Sequence, residues 1–204
     1  GIGMPDGVGQ VAIEEDINDK IILSIETGVF GGVTVYGNSF GAAINPIALY
    51  KTTDMFDIYD GGILDEAVLG LAEVDFRGNV NVSKLENRVS GPGGFINITQ
   101  STKNIIFMGS FTAGGLKVEV KDGKLNILQE GKYKKFKKNV EQITFSAKYA
   151  TIHQHNILFV TERAVFKLES NGFTLIEIAP GVDLDKDILE QMEFKPIISH
   201  ELKL

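Results

Sequence analysis

No cysteine occurs among the 204 residues, so disulfides, thiolate metal sites and a cysteine nucleophile are all excluded. That absence suits a reducing compartment, and a cytoplasmic location is expected. A basic excess is also missing. The 27 acidic residues against 20 lysines and arginines leave a formal net charge of −7, which argues against a general nucleic-acid binder. No apolar run reaches the length of a membrane span, so no membrane partner is expected. Proline is scarce, with 5 residues, whereas the 23 glycines are numerous and fall in clusters. Clustered glycines point to loops that need positive φ, or to backbone that closes on a ligand.

What remains is ordinary for a globular protein, with 43% hydrophobic and 23% charged residues and enough length for one substantial core. IILSIE (21–26) and GVTVYG (32–37) are short apolar or β-branched runs bounded by glycine, and strands are expected there. From Ile63 to Ala72 the apolar residues Ile63, Leu64, Ala67, Val68 and Leu71 have helical spacing, with Asp65 and Glu66 in the early turns. NIIFMGSF (104–111) reads as a buried strand, and LKVEVKDGKLNILQE (116–130) as a hairpin about Asp122-Gly123. ITFSA, ILFVTE, AVFKLE and FTLIEI add further strands, and DLDKDILEQM (183–192) carries one apolar stripe of a surface helix. No polar linker divides the chain. The expectation is a single α/β domain over 1–204 with an open mixed sheet flanked by helices. GIGMPDGVG reads as a loop that should follow a strand, so the sequence is expected to be part of a longer protein.

The stretch SIETGVFGG (24–32) poses the chemical question, because Glu26 ends an apolar run where an unpaired carboxylate is costly. Gly1, Gly3 and Gly7 precede it, spaced loosely like a dinucleotide-binding fingerprint with Glu26 as the ribose ligand, though the first strand of that motif is missing. Alternatively Glu26 is a nucleophile. A glutamate with the ordinary pKa of about 4.3 is ionised at pH 7 and needs no base beside it. It can attack an activated acyl group if oxyanion donors, such as the N–H groups of bare glycine backbone, stand opposite. A glutamate that merely faces water at a sheet edge is a third reading.

The sequence resembles the C-terminal, beta-type half of the family I CoA-transferases, the 3-oxoacid CoA-transferase family, and is similar to their single-chain acetate and propionate enzymes. The resemblance runs through GIGMPDGV, SIETGVFGG, FDIYDGGILDEAVLGLAEVD, GNVNVSK, GPGGF, VEQITFSA, TERAVFKL and FTLIEIAPGVDL, nearly the whole chain. It places the family's glutamate-x-glycine motif on Glu26-Thr27-Gly28, with Thr27 and Ile25 where relatives often have asparagine and serine. The G-x-G-G motif near the acyl group falls on Gly91, Pro92, Gly93 and Gly94, and a second donor region on Ile2 and Gly3. Asn79 and Glu162 match active-site residues of relatives, although a turn asparagine explains the first equally well and a salt bridge explains the second better.

The same resemblance implies the fold shared by CoA-transferases and sugar-phosphate isomerases. It also implies a glutamyl-CoA thioester on Glu26, with coenzyme A as substrate and covalent intermediate and no separate cofactor. Its substrates would be an acyl-CoA and a short-chain carboxylate, its partner an alpha-type half or subunit, and the complete enzyme a homo-oligomer. A half that only binds a partner remains open. The run KYKKFKK (132–138) could meet CoA phosphates or form a solvated face. His153 and His155 could share a metal, but no third ligand lies near them in sequence, and no metal is assigned.

Overall fold

Runs of alternating burial separated by glycine turns build one six-stranded mixed sheet, with four short helices around it. This computed structural model describes residue 1, residues 3–86 and residues 88–204. The first part of the chain contains α1 (Val8–Glu14), β1 (Ser24–Ile25), β2 (Val29–Phe30), β3 (Ala48–Leu49) and α2 (Thr52–Asp60). Next come β4 (Glu66–Gly70), α3 (Phe95–Ser101), β5 (Asn104–Met108), and the hairpin β6 (Lys117–Lys121) and β7 (Lys124–Gln129). The last part supplies α4 (Ala147–Ile152), β8 (Asn156–Val160), β9 (Ala164–Glu169), β10 (Gly172–Ile178) and β11 (Ile197–Lys203). Shorter strands are named by residue below.

The central sheet has the order β11-β10-β9-β8-β5-β4. β5 lies parallel to both β4 and β8, with Ile105 opposite Ala67 and Ile157. β8, β9 and β10 run antiparallel in turn, and β11 returns parallel to β10. Phenylalanine carries the core across this sheet. Phe107 stacks on Phe95 at 5.6 Å and on Phe159 at 5.4 Å; Phe159, Phe173, Phe166 and Phe136 then follow ring against ring at 4.9 to 5.0 Å. Aromatic contacts of this kind add about 0.5–1.5 kcal/mol each beyond their buried area.

Several expectations are corrected. The segment from Ile63 to Ala72 contains strand β4 rather than a helix, with Ala67, Leu69 and Leu71 buried on every second residue. The apolar residues in and around the strand happen to fall at helical spacing, so a short apolar run of this kind imitates a helix although only alternate residues are buried. The helix lies upstream, where Met55 and Tyr59 fall four residues apart on the buried face of α2 and Gly61-Gly62 ends it. ITFSA forms only a bridge from Phe145 to Val80 before Ser146 caps α4 by accepting from the Tyr149 N–H. IILSIE and GVTVYG shrink to two-residue strands, Ser24–Ile25 and Val33–Thr34. The stripe at 183–192 does bury Ile188 and Met192, but on a π turn followed by a 3-10 turn. GIGMPDGVG enters a 3-10 turn at Met4–Gly7 that leads into α1.

Candidate functional site

Glu26 owes its position to a three-residue hairpin loop. Ile25 pairs with Val29 across the antiparallel β1–β2 ladder, leaving Glu26, Thr27 and Gly28 as the connection. The Gly28 N–H closes the turn onto the Ile25 carbonyl at 2.9 Å, and Gly28 takes φ +113, which an L side chain rarely adopts. A Cβ at Gly28 would also strike the Tyr50 carbonyl group, whose carbon stands 2.9 Å from that point. Thr27 is fastened by its hydroxyl, which donates to the Gly41 carbonyl at 2.7 Å. Ser24, the otherwise buried Ile25 and Glu26 all line a cleft of about 500 Å³.

The opposite wall comes from the start of α3. Pro92, Gly93, Gly94 and Phe95 line the cleft with Glu26. A Cβ at Gly94 would fall onto Glu26 Oε2 and within 2.6 Å of the Phe56 ring, so glycine is required for the carboxylate to rest there. Gly94 cannot retreat. The next residue, Phe95, is stacked on Phe107 in the core, and α3 is clamped to α2 through Asn97 to the Asp60 carboxylate (3.0 and 3.1 Å) and Ser101 to the Tyr59 carbonyl (2.8 Å). Among the described residues, no ion pair holds Glu26.

Beneath the carboxylate, the buried phenol of Tyr59 donates to Ser24 Oγ at 3.0 Å. Burial pushes the Tyr59 pKa above its ordinary value, and the negative charge of Glu26 acts in the same direction. Sequence reasoning missed Ser24, Phe56 and Tyr59. The available signals were the i−2 spacing of Ser24 from Glu26 and the i, i+3 spacing of Phe56 and Tyr59 on one helix.

The remaining candidate residues scatter. Gly93 lines the cleft, but its φ of +52 serves a turn and a Cβ there would meet nothing within 4 Å. Gly91 (φ +76) precedes the cleft-lining Pro92, Gly3 (φ +94) lies between the cleft-lining Gly1 and Pro5, and a Cβ on either would meet nothing within 4 Å. Ile2 lies outside the described residues. Asn79 is buried in the turn of Glu73–Asp75 and Val80–Asn81, where Nδ2 donates to Asp75 at 3.0 Å and Oδ1 accepts from the Ala147 N–H at 2.9 Å. Both ends of that amide are occupied, away from the cleft.

Glu162 is equally engaged elsewhere. It accepts from Arg163 Nε at 2.7 Å and from the Phe111 N–H at 2.8 Å, and the fully buried Arg163 forks onto Glu130 at 2.7 and 3.1 Å. The run at 132–138 is only in part a solvated face: Lys132, Tyr133 and Lys138 are exposed, but Lys135 and Phe136 are buried, and Lys137 pairs with Glu193 at 3.1 Å. His153 and His155 sit with Tyr149, ring centroids 6.2 Å apart, and among the described residues no group of three or more candidate metal ligands converges. The dinucleotide reading fails on topology. Glu26 lies in an antiparallel hairpin turn, whereas the fingerprint needs it at the end of a parallel βαβ strand.

Acetate CoA-transferase YdiF of Escherichia coli K12 is 53% identical to this chain over 204 residues, covering all of it and 38% of YdiF. Caffeate CoA-transferase of Acetobacterium woodii is 51% identical over 208 residues, covering 100% of this chain and 40% of that protein. The acetate CoA-transferase beta subunit of Haemophilus influenzae is 31% identical over 198 residues, covering 91% of this chain and 77% of the subunit. The chain belongs to the family I CoA-transferases. It spans under half the length of the first two of these CoA-transferases. A crystal structure of E. coli O157:H7 YdiF as a thioester complex with CoA superposes with a TM-score of 0.94 at 51% identity, over all of this chain and 38% of that one. No family profile matches the chain.

Proposed function

We propose that residues 1–204 form the glutamate-bearing, beta-type half of an enzyme that moves CoA between an acyl-CoA and a short-chain carboxylate. The observation that carries this reading is the placement of Glu26: a carboxylate on a tight turn, facing a cleft, seated over the backbone of a glycine that admits no Cβ. Glu26 attacks the thioester carbonyl, forming a C–O bond and expelling CoA thiolate to leave an acyl-glutamyl anhydride. The thiolate then attacks the Glu26 carbonyl of that anhydride and releases the donor acid, giving a glutamyl-CoA thioester. An acceptor carboxylate runs both steps backwards. No net proton is consumed, and CoA serves as substrate throughout.

Carboxylates are weak nucleophiles toward thioesters, so binding energy from the remote nucleotide end of CoA must be expressed in the transition state. Backbone donors in the 91–94 and 2–3 segments are suited to the oxyanion at the substrate carbonyl. The similarity to one relative named for acetate and another named for caffeate, at nearly equal identity, is why the acyl group is given only as a class. An alpha-type half completes the site, on this chain's own polypeptide or as a separate subunit, within a cytoplasmic oligomer.

The test is CoA exchange between acetyl-CoA and propionate, assayed with residues 1–204 alone and in the complete enzyme. Exchange is expected only in the complete enzyme, and Glu26→Asp is expected to lower it about 100-fold, since an attacking oxygen misplaced by about 1 Å costs that much. Full activity of Glu26→Asp, or of the isolated chain, would contradict the proposal.

A further inference from the structure

The exchange just described has two reacting carbonyls, one on the substrate and one on Glu26 itself, and the second needs an oxyanion donor of its own. We propose that Ser24 supplies it, as the hydrogen-bond donor to the Glu26 carbonyl oxygen, and that Tyr59 is the positioning residue that aims Ser24. Ser24 begins the strand that leads into the Glu26 turn, two residues before Glu26, and both residues line the same cleft. The Tyr59 phenol, only 3% exposed, donates to Ser24 Oγ at 3.0 Å. That bond occupies a lone pair of Ser24 and leaves its own O–H to point elsewhere, and among the described residues Ser24 donates to none. Donation from the phenol polarises the serine hydroxyl, making it a stronger donor toward a developing negative charge.

The chemistry requires such a group at two moments. When CoA thiolate attacks the Glu26 carbonyl of the anhydride, the C=O electron pair moves onto oxygen; collapse expels the donor carboxylate. When the acceptor carboxylate attacks the glutamyl thioester, the same oxygen becomes negative before CoA thiolate leaves. Ser24 keeps its proton throughout and only donates a hydrogen bond. Its place on β1, immediately before the turn that carries Glu26, ties it to that carbonyl and not to the substrate's. Tyr59 in turn is held by α2, which the Ser101 hydroxyl ties to α3 at the Tyr59 carbonyl. The burial that raises the phenol's pKa keeps it protonated, the state in which it can donate.

This role rests on the CoA-transferase reading, and the experiment separates the two. The complete enzyme, as wild type, Ser24→Ala, Ser24→Thr and Tyr59→Phe, is mixed with acetyl-CoA in a quenched-flow apparatus. The Glu26–CoA adduct is quantified by peptide mass spectrometry, and its discharge by propionate is followed separately. Ser24→Ala is expected to slow adduct formation and discharge by about 10- to 100-fold, the effect of losing one hydrogen bond to a charged group, with KM for acetyl-CoA within about threefold. Tyr59→Phe is expected to slow both steps less, Ser24→Thr to recover most of the rate, and the double variant to be no slower than Ser24→Ala alone. Wild-type rates in a folded Ser24→Ala enzyme would overturn the role of Ser24, as would additive losses in the double variant that track a falling Tm. A wild-type enzyme that forms no adduct on Glu26 would overturn the CoA-transferase reading itself, and this role with it.

Discussion

Two adjacent glycines in GPGGF do different work. Gly94 is sterically required, since a Cβ there would collide with Glu26 Oε2 and crowd the Phe56 ring at 2.6 Å, while Gly93 has open space and only a left-handed φ of +52. Gly94→Ala is therefore expected to displace the carboxylate and reduce kcat about 100-fold or more. Gly93→Ala should instead cost about 1–2 kcal/mol of stability for the left-handed conformation, with kcat per folded molecule little changed. Turnover and Tm measured on the same samples check both; equal losses of kcat in the two variants would contradict the assignment. The sequence pattern marked the whole motif but could not separate its members, because which glycine faces Glu26 depends on how α3 packs.

At the scale of elements, the buried Lys135 lies near Gly109 and Leu71, just beyond the ends of two sheet strands. Its ammonium approaches the place a Cβ would take on Gly109, 2.8 Å away, in a pocket where the Leu71 carbonyl also lies close. Burial lowers its pKa from 10.5 to about 8, against a smaller opposing pull from Glu162. The unfolded chain thus binds this proton more tightly than the folded one, so Lys135 costs stability below pH 8, and the cost disappears as pH rises toward 10.5. Replacing it by methionine should raise Tm at neutral pH and flatten the stability rise between about pH 8 and pH 10. An unchanged slope in chemical denaturation across that range would contradict the burial argument.

The same region shows why some elements were legible and others not. The hairpin at 117–129 was plain because Asp122 and Gly123 take the positive φ values of +52 and +72 that its turn demands, a local property. Strands β5, β8, β9 and β10 were plain from their apolar runs. β4 was misread because its strand state is set by parallel pairing with β5, a contact nearly forty residues away that spacing cannot reveal. The helices α1, α3 and α4, each six or seven residues long, offered too few turns for periodicity to register.

For the whole molecule, the cleft is built by segments far apart in sequence: the hairpin at Glu26, helix α2 and the start of α3, all referred to one phenylalanine-filled core. Glu26 and the glycine motif could be placed by resemblance, but Ser24, Phe56 and Tyr59 emerge only when that packing is seen. Large exposed apolar side chains crowd the first fifty residues, among them Ile22, Ile44, Ile47 and Leu49, each more than half exposed. Such a surface is suited to an alpha-type half closing over the cleft. The most direct measurement is to incubate the complete enzyme with acetyl-CoA in the absence of acceptor and map the modified peptide by mass spectrometry. A CoA thioester on Glu26, discharged on adding propionate and absent from Glu26→Gln, is expected. An adduct on another residue, or full exchange by Glu26→Gln, would contradict the central claim.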